Sequence, residues 1–120
     1  VKYVPSLTSF LIKKKVNFFL NFSYSEGMSF AVMEALSCSI PIIGSNIPGN
    51  NEIINSKNGY LLKKLNLKEY TLTAKKILED ILNKNYIKKQ INSYKVSNEK
   101  ISRKRNLLEL DKILNNIILK

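Results

Sequence analysis

The sequence predicts an α/β fold, with a parallel sheet of about three to four short strands, flanking helices and a helical C-terminal tail. Three features predict it. Residues 16–22, 40–44 and 60–62 are short, mostly apolar runs with Ser or Gly at one end at least, as buried parallel strands are. The first two runs are separated by one helix-length segment, which makes a right-handed βαβ unit. After Leu65 the apolar residues recur at helical spacing, and no glycine follows Gly59.

Taken in order, Val1-Lys2-Tyr3-Val4 alternates and reads as a strand stopped by Pro5. Residues 6–15 read as a helix with Leu7, Phe10 and Leu11 on one side. Residues 16–22, apolar on both faces despite Asn17 and Asn21, read as a central strand. Ser29 can cap a helix that runs to about Ser37. Its small residues, Ala31, Ala35 and Cys38, allow close approach to the sheet. Pro41 opens the next strand, 40–44. Residues 50–54 form a short helical turn, and Asn58-Gly59 a turn before the strand 60–62.

Three helical patterns follow. Leu67, Tyr70, Leu72, Ala74, Ile77, Leu78, Ile81 and Leu82 mark the first, and residues 86–94 the second. Residues 104–118 form the third, with Leu107, Leu108, Leu110, Ile113, Leu114, Ile117 and Ile118 apolar. This divides the chain into an α/β core at 1–65 and C-terminal helices at 66–120 that pack on it.

Composition excludes several functions. With no histidine, the chain can build no Ser-His-Asp or Cys-His nucleophile and no His-ligated metal site. The lone Cys38 has no disulfide or metal partner, which fits a reducing, cytoplasmic setting, and it reads as a small packed hydrophobe. No apolar run reaches the roughly 18–20 residues that span a bilayer.

The net charge of +11 invites an anionic partner, but the chain is rich in Lys, Asn and Ile and has only Arg103 and Arg105 as arginines. That is the bias of an AT-rich genome, and the lysines are scattered. No Arg-rich helix, aromatic-basic strand or zinc pattern of a nucleic-acid module is present, so no nucleic acid is expected.

The chemically suggestive stretch is Ser25-Glu26-Gly27-Met28-Ser29-Phe30-Ala31-Val32-Met33-Glu34-Ala35. Glu26 and Glu34 enclose seven residues, Gly27 to Met33. The stretch lies at the carboxyl end of a predicted parallel strand, where open α/β sheets bind ligands. Gly27 lets backbone approach a ligand. The amides of Met28, Ser29 and Phe30 would point out of a helix start, which carries unsatisfied N–H groups and about half a positive charge. Such an end suits a diphosphate. Ionised carboxylates accept hydrogen bonds and donate none, so a glutamate matches paired sugar hydroxyls.

These residues, with the Pro41-led strand, the run Pro48-Gly49-Asn50-Asn51-Glu52-Ile53-Ile54 and then Asn58-Gly59-Tyr60-Leu61, resemble the family 4, or group 1, retaining glycosyltransferases of GT-B fold. The specific match covers about residues 16–62. The resemblance implies a Rossmann-like, N-terminally truncated C-terminal domain, half of a GT-B enzyme, that binds a nucleoside diphosphate sugar such as a UDP-sugar. By the same resemblance Glu26 contacts the transferred sugar, Glu34 holds the ribose hydroxyls, and Gly27, Met28 and Ser29 touch sugar and diphosphate. Leu7 is placed at the nucleobase.

The resemblance further implies no cofactor, no metal and no catalytic residue within the chain. The glycan or lipid acceptor would meet an N-terminal domain lying before Val1, as would an Arg and Lys that neutralise the diphosphate. Polysaccharide synthesis in the cytoplasm, with peripheral contact at the inner face of the membrane, is the implied setting. The chain departs from the family pattern at Pro5 and Ser39, where glycine is common, and at Asn46, where Asp is frequent. A basic module for anionic surfaces and an inactive fragment are the alternatives of other classes. Glu52 reads as a capping residue, and Lys13-Lys14-Lys15 as a solvated face.

Overall fold

A computed structural model describes residues 7–25, 27, 29–101 and 103–118. The strand expected at 1–4 lies outside the described residues.

Helix α1 (Leu7–Lys13) leads to β1 (Phe19–Asn21), α2 (Phe30–Ser37), β2 (Ile42–Ser45), α3 (Asn50–Ile53) and β3 (Gly59–Leu62). The three strands are parallel in the order β1-β2-β3, with Asn21 opposite Gly44 and Gly44 opposite Leu61. Side chains of successive strand residues point to opposite faces, and neighbours on β2 divide accordingly. Ile42 joins Leu11, Val32, Ala35, Leu36, Ile40, Ile53 and Ile54 beneath α1 and α2. Ile43 joins Tyr60 and Leu62 on the other face, against Phe18, Leu65 and Ile77. Leu36, Ile42, Ile53, Ile54 and Leu62 are fully buried; each such side chain stabilises the fold by about 1.5–3 kcal/mol.

The strand expected at 16–22 is shorter, spanning Phe19–Asn21. Before it, the Val16 amide closes the end of α1 on Leu11 O, and the Tyr86 hydroxyl donates to Asn17 O at 2.9 Å. The ladder therefore begins at Phe19, whose amide reaches Pro41 O. Among the described strands β1 lies at the edge, with Leu20 57% exposed, and β2 is the central, wholly buried one. The strand expected at 40–44 is shifted to Ile42–Ser45.

The helices behind the sheet are α4 (Leu67–Leu82), α5 (Asn85–Val96) and α6 (Arg103–Ile118), with an unpredicted π-helical turn, Ser97–Ile101, before α6. Asn66 caps α4 by accepting from the Glu69 amide at 2.9 Å. Helix α4 packs on β3 and α5 bridges α4 and α2. Tyr60 Oη donates to Asp80 at 2.5 Å, and Lys89 lies over the Tyr60 ring, 3.6 Å from the Asp80 carboxylate. The apolar residues from Leu107 to Ile118 on α6 are exposed, and α6 meets the π-helical turn.

Candidate functional site at the carboxyl edge of the sheet

Because the strands are parallel, β1, β2 and β3 all deliver their following loops to one edge. There the chain leaves β1 at Phe22, crosses to Ser29, and enters α2. The Ser29 backbone is extended (φ −71°, ψ 121°) and its hydroxyl accepts from the Val32 amide at 3.5 Å, the expected cap. This satisfies one of the amides of the first turn that have no intrahelical partner. Phe30, at the first helical position, is 80% exposed, so the helix start lies at the surface of the described fold.

Gly27 is exposed, and a Cβ built there meets no atom within 4 Å. Its neighbours in kind differ. A Cβ on Gly59 would lie 2.3 Å from Ile42 O, and one on Gly44 3.1 Å from the Ile54 side chain. Packing therefore requires glycine at 59 and leaves little room for a side chain at 44, whereas at 27 the space above the backbone is open. Glu26 and Met28 lie outside the described residues.

Glu34 sits on α2 more than one turn beyond Ser29, half-buried toward α1. Its Oε2 accepts from Thr8 Oγ1 at 3.4 Å. Leu7 precedes Thr8 at the start of α1 and packs partly on the core beneath α2. Ser29, Glu34 and Leu7 are thus gathered along α2 and its contact with α1. Cys38, at the far end of α2, is a packed thiol: burial pushes its pKa up, and the nearby Glu34 charge adds to this against hydrogen bonds from Ser37 and Thr8.

A hydrogen-bonded set of polar residues beneath the loop is absent from the sequence expectation. Ser45, at the end of β2, accepts from the Ser23 amide at 3.1 Å and donates to Ser23 O at 2.5 Å. Ser23 Oγ donates to Asn21 Oδ1 at 3.1 Å, and Asn21 Nδ2 donates to Asn50 Oδ1 at 3.2 Å. Asn50 Nδ2 closes the set on Ser45 O at 3.0 Å. Asn21, Ser45 and Asn50 are all buried. The available signal was polar residues at the ends of otherwise apolar strands.

The family model for glycosyl transferases group 1 matches residues 3–93. The chain belongs to the group 1 glycosyltransferases. It is 31% identical over 113 residues to protein CapJ of Staphylococcus aureus, covering 88% of this chain and 28% of that protein. It is 36% identical over 62 residues to glycosyltransferase 1 domain-containing protein 1 of Xenopus tropicalis, covering 52% of this chain and 18% of that one. The chain thus spans less than a third of the length of either of these curated relatives.

Among solved structures, sucrose-phosphate synthase from Thermosynechococcus elongatus superposes with a TM-score of 0.74 at 18% identity, over 92% of this chain and 28% of that one. The pneumococcal O-GlcNAc transferase GtfA, in complex with UDP and GlcNAc, superposes with a TM-score of 0.70 at 25% identity, over 91% and 22%. Both carry the GT-B fold. The group 1 domain here corresponds to about a quarter of those chains, with its strand ends, α2 start and Glu34 in one region.

Proposed function

We propose that this group 1 domain binds the nucleoside diphosphate sugar of a retaining, metal-independent glycosyltransferase that moves the sugar to a glycan or lipid acceptor. The observation that carries the proposal is the surface-exposed, Ser29-capped start of α2 at the carboxyl edge of the sheet, beside the open space over Gly27. The diphosphate would lie on the amides of this helix end. Their partial positive charge is fixed in place, so it also stabilises the charge that grows on the leaving diphosphate. Glu34, on the next turn, would take the ribose hydroxyls, and Glu26 the sugar. Leu7 would lie toward the base.

UDP is the nucleotide we favour, because the GtfA complex holds UDP. Acceptor binding and turnover are proposed for the remainder of an enzyme of the relatives' length. We place its work in polysaccharide synthesis in the cytoplasm. No helix of the described residues is long and apolar enough to cross a membrane. The exposed stripe of α6 favours peripheral membrane contact. Co-sedimentation with anionic vesicles that a Leu110→Asp, Ile113→Asp variant abolishes would support that contact, and unchanged co-sedimentation would reject it.

The donor reading is tested by calorimetric titration with UDP and UDP-N-acetylglucosamine. Saturable binding that weakens at least about tenfold in Glu34→Ala, with far-UV circular dichroism unchanged, is expected, since loss of hydrogen bonds to a charged group costs about 1.5–3 kcal/mol. Unchanged affinity in Glu34→Ala would reject the ribose role, and absence of binding by the unaltered chain would reject the proposal.

A further inference from the structure

The polar set beneath the loop does more than satisfy itself. At the end of β1 the ladder stops with Asn21 opposite Gly44. One residue on, strand pairing would hand Phe22 to Ser45, yet the chain turns away there. The Ser45 side chain takes over where the backbone leaves off, holding both the amide and the carbonyl of Ser23. Asn50 then ties Ser45 O to Asn21, and Asn21 ties back to the Ser23 hydroxyl. Asn50 opens α3, directly after Gly49 in the left-handed region (φ 88°). The chain leaving β1 at Asn21 to Ser23 therefore meets the end of β2 and the nearby start of α3, more than twenty positions on.

We infer that Ser45, Asn21 and Asn50 are positioning residues, which fix the direction in which the chain leaves β1 through Phe22 and Ser23, and so the geometry of the diphosphate site. The inference rests on the donor-binding reading above. Three properties support it beyond simple core filling. The residues are polar and 9% exposed or less, at a sheet edge where apolar side chains would fill the same volume. Each hydrogen bond of the set crosses between the loop root, β2 and α3 or stays within the loop root. Finally, no buried side-chain polar atom among the described residues lacks a partner, so removing one member leaves the others unsatisfied and frees the loop. Binding sites lose affinity steeply when their supporting hydrogen bonds slacken, because geometry must hold within about half an ångström.

The test compares Ser45→Ala, Ser45→Thr and Ser23→Ala with the unaltered chain, reading UDP affinity by calorimetry and stability by urea unfolding. Asn58→Ala serves as the control. Asn58 is fully buried and bonds the Asn55 amide and Ile53 O, before β3 and away from the loop 22–29. The expected result is an affinity loss of about tenfold in Ser45→Ala, recovered in Ser45→Thr, which keeps the hydroxyl. Ser23→Ala, which spares the backbone clamp and removes one donor to Asn21 Oδ1, should lose affinity several-fold and lose less stability than Ser45→Ala. Should Ser45→Ala not fold, Ser23→Ala alone decides. Asn58→Ala should lose stability and keep its affinity. Equal affinity in Ser45→Ala or Ser23→Ala and the unaltered chain, or equal affinity losses in Asn58→Ala and the loop variants, would overturn the inference. If the unaltered chain binds no UDP, the donor-binding reading is what fails.

Discussion

At Ser39 a single dihedral angle explains a departure from the family pattern. Ser39 follows the C-cap of α2 with φ 61°, in the left-handed region. Its amide reaches Leu36 O and the next amide, of Ile40, reaches Ala35 O, both at 3.0 Å. That pair of bonds is the Schellman ending, whose left-handed position favours glycine. A side chain there costs about 1 kcal/mol, so Ser39→Gly should stabilise the fold by about 0.5–1 kcal/mol, raising the thermal midpoint by a few degrees. An unchanged or lower midpoint would contradict this. Asn46, the other departure within the described residues, accepts from Asn51 through its side-chain oxygen at 3.3 Å, a bond that Asp could also accept. Gly59→Ala should act in the opposite sense. Its Cβ would press on Ile42 O within the β2–β3 pair, and overpacking of this kind costs about 1–3 kcal/mol. A lowered urea midpoint at unchanged slope checks it.

At the scale of elements, the tie between β3, α4 and α5 runs through Tyr60, Asp80 and Lys89. Burial, and then the hydrogen bond to Asp80 and its charge, hold the Tyr60 phenol well above its ordinary value of 10.0. The folded pKa is raised, so the neutral phenol favours the folded state. Its contribution is complete below about pH 10 and falls away as pH rises toward the folded value. Stability of the unaltered chain should therefore decline more steeply above pH 10 than that of Tyr60→Phe. Near pH 7 Tyr60→Phe should be about 1 kcal/mol less stable, through loss of the bond to Asp80. Urea unfolding across pH 7–11 measures both; parallel pH profiles would contradict the assignment.

Most elements were legible because each has a local cause. The Ser29 cap, the buried run at Ile42–Ser45, the Asn58-Gly59 turn and the helical spacing in α4 to α6 are short-range signals. What the sequence hid is non-local. The span of β1 is cut short by a hydrogen bond from Tyr86, and the Ser45–Asn21–Asn50 set joins residues more than twenty positions apart. The π-helical turn at Ser97–Ile101 repeats too briefly to leave a period of its own. For α4 and α6, amphipathic spacing reads as a buried face, yet α4 has no fully buried residue and the α6 stripe is exposed.

At the scale of the whole molecule, the described residues form two hydrophobic clusters that clamp a three-stranded sheet, and the loops after its strands share one edge. The cluster under α1 and α2 should dominate stability. Leu36→Ala, at a fully buried position, should cost about 2–5 kcal/mol by urea unfolding, against under 0.5 kcal/mol for the exposed Leu82→Ala. Comparable losses at both would contradict this layout.

The family assignment and the proposed donor site are separate statements, and the second depends on where a nucleotide lands. The most direct test is amide chemical-shift mapping of the isotopically labelled chain during titration with UDP. Saturable shifts concentrated at Gly27, Ser29, Phe30 and the first two turns of α2 are expected, with Ser23 and Ser45 following and Tyr60, Asp80 and Lys89 silent. Shifts confined to those three residues or to α6, or no saturable shifts at all, would contradict the donor site.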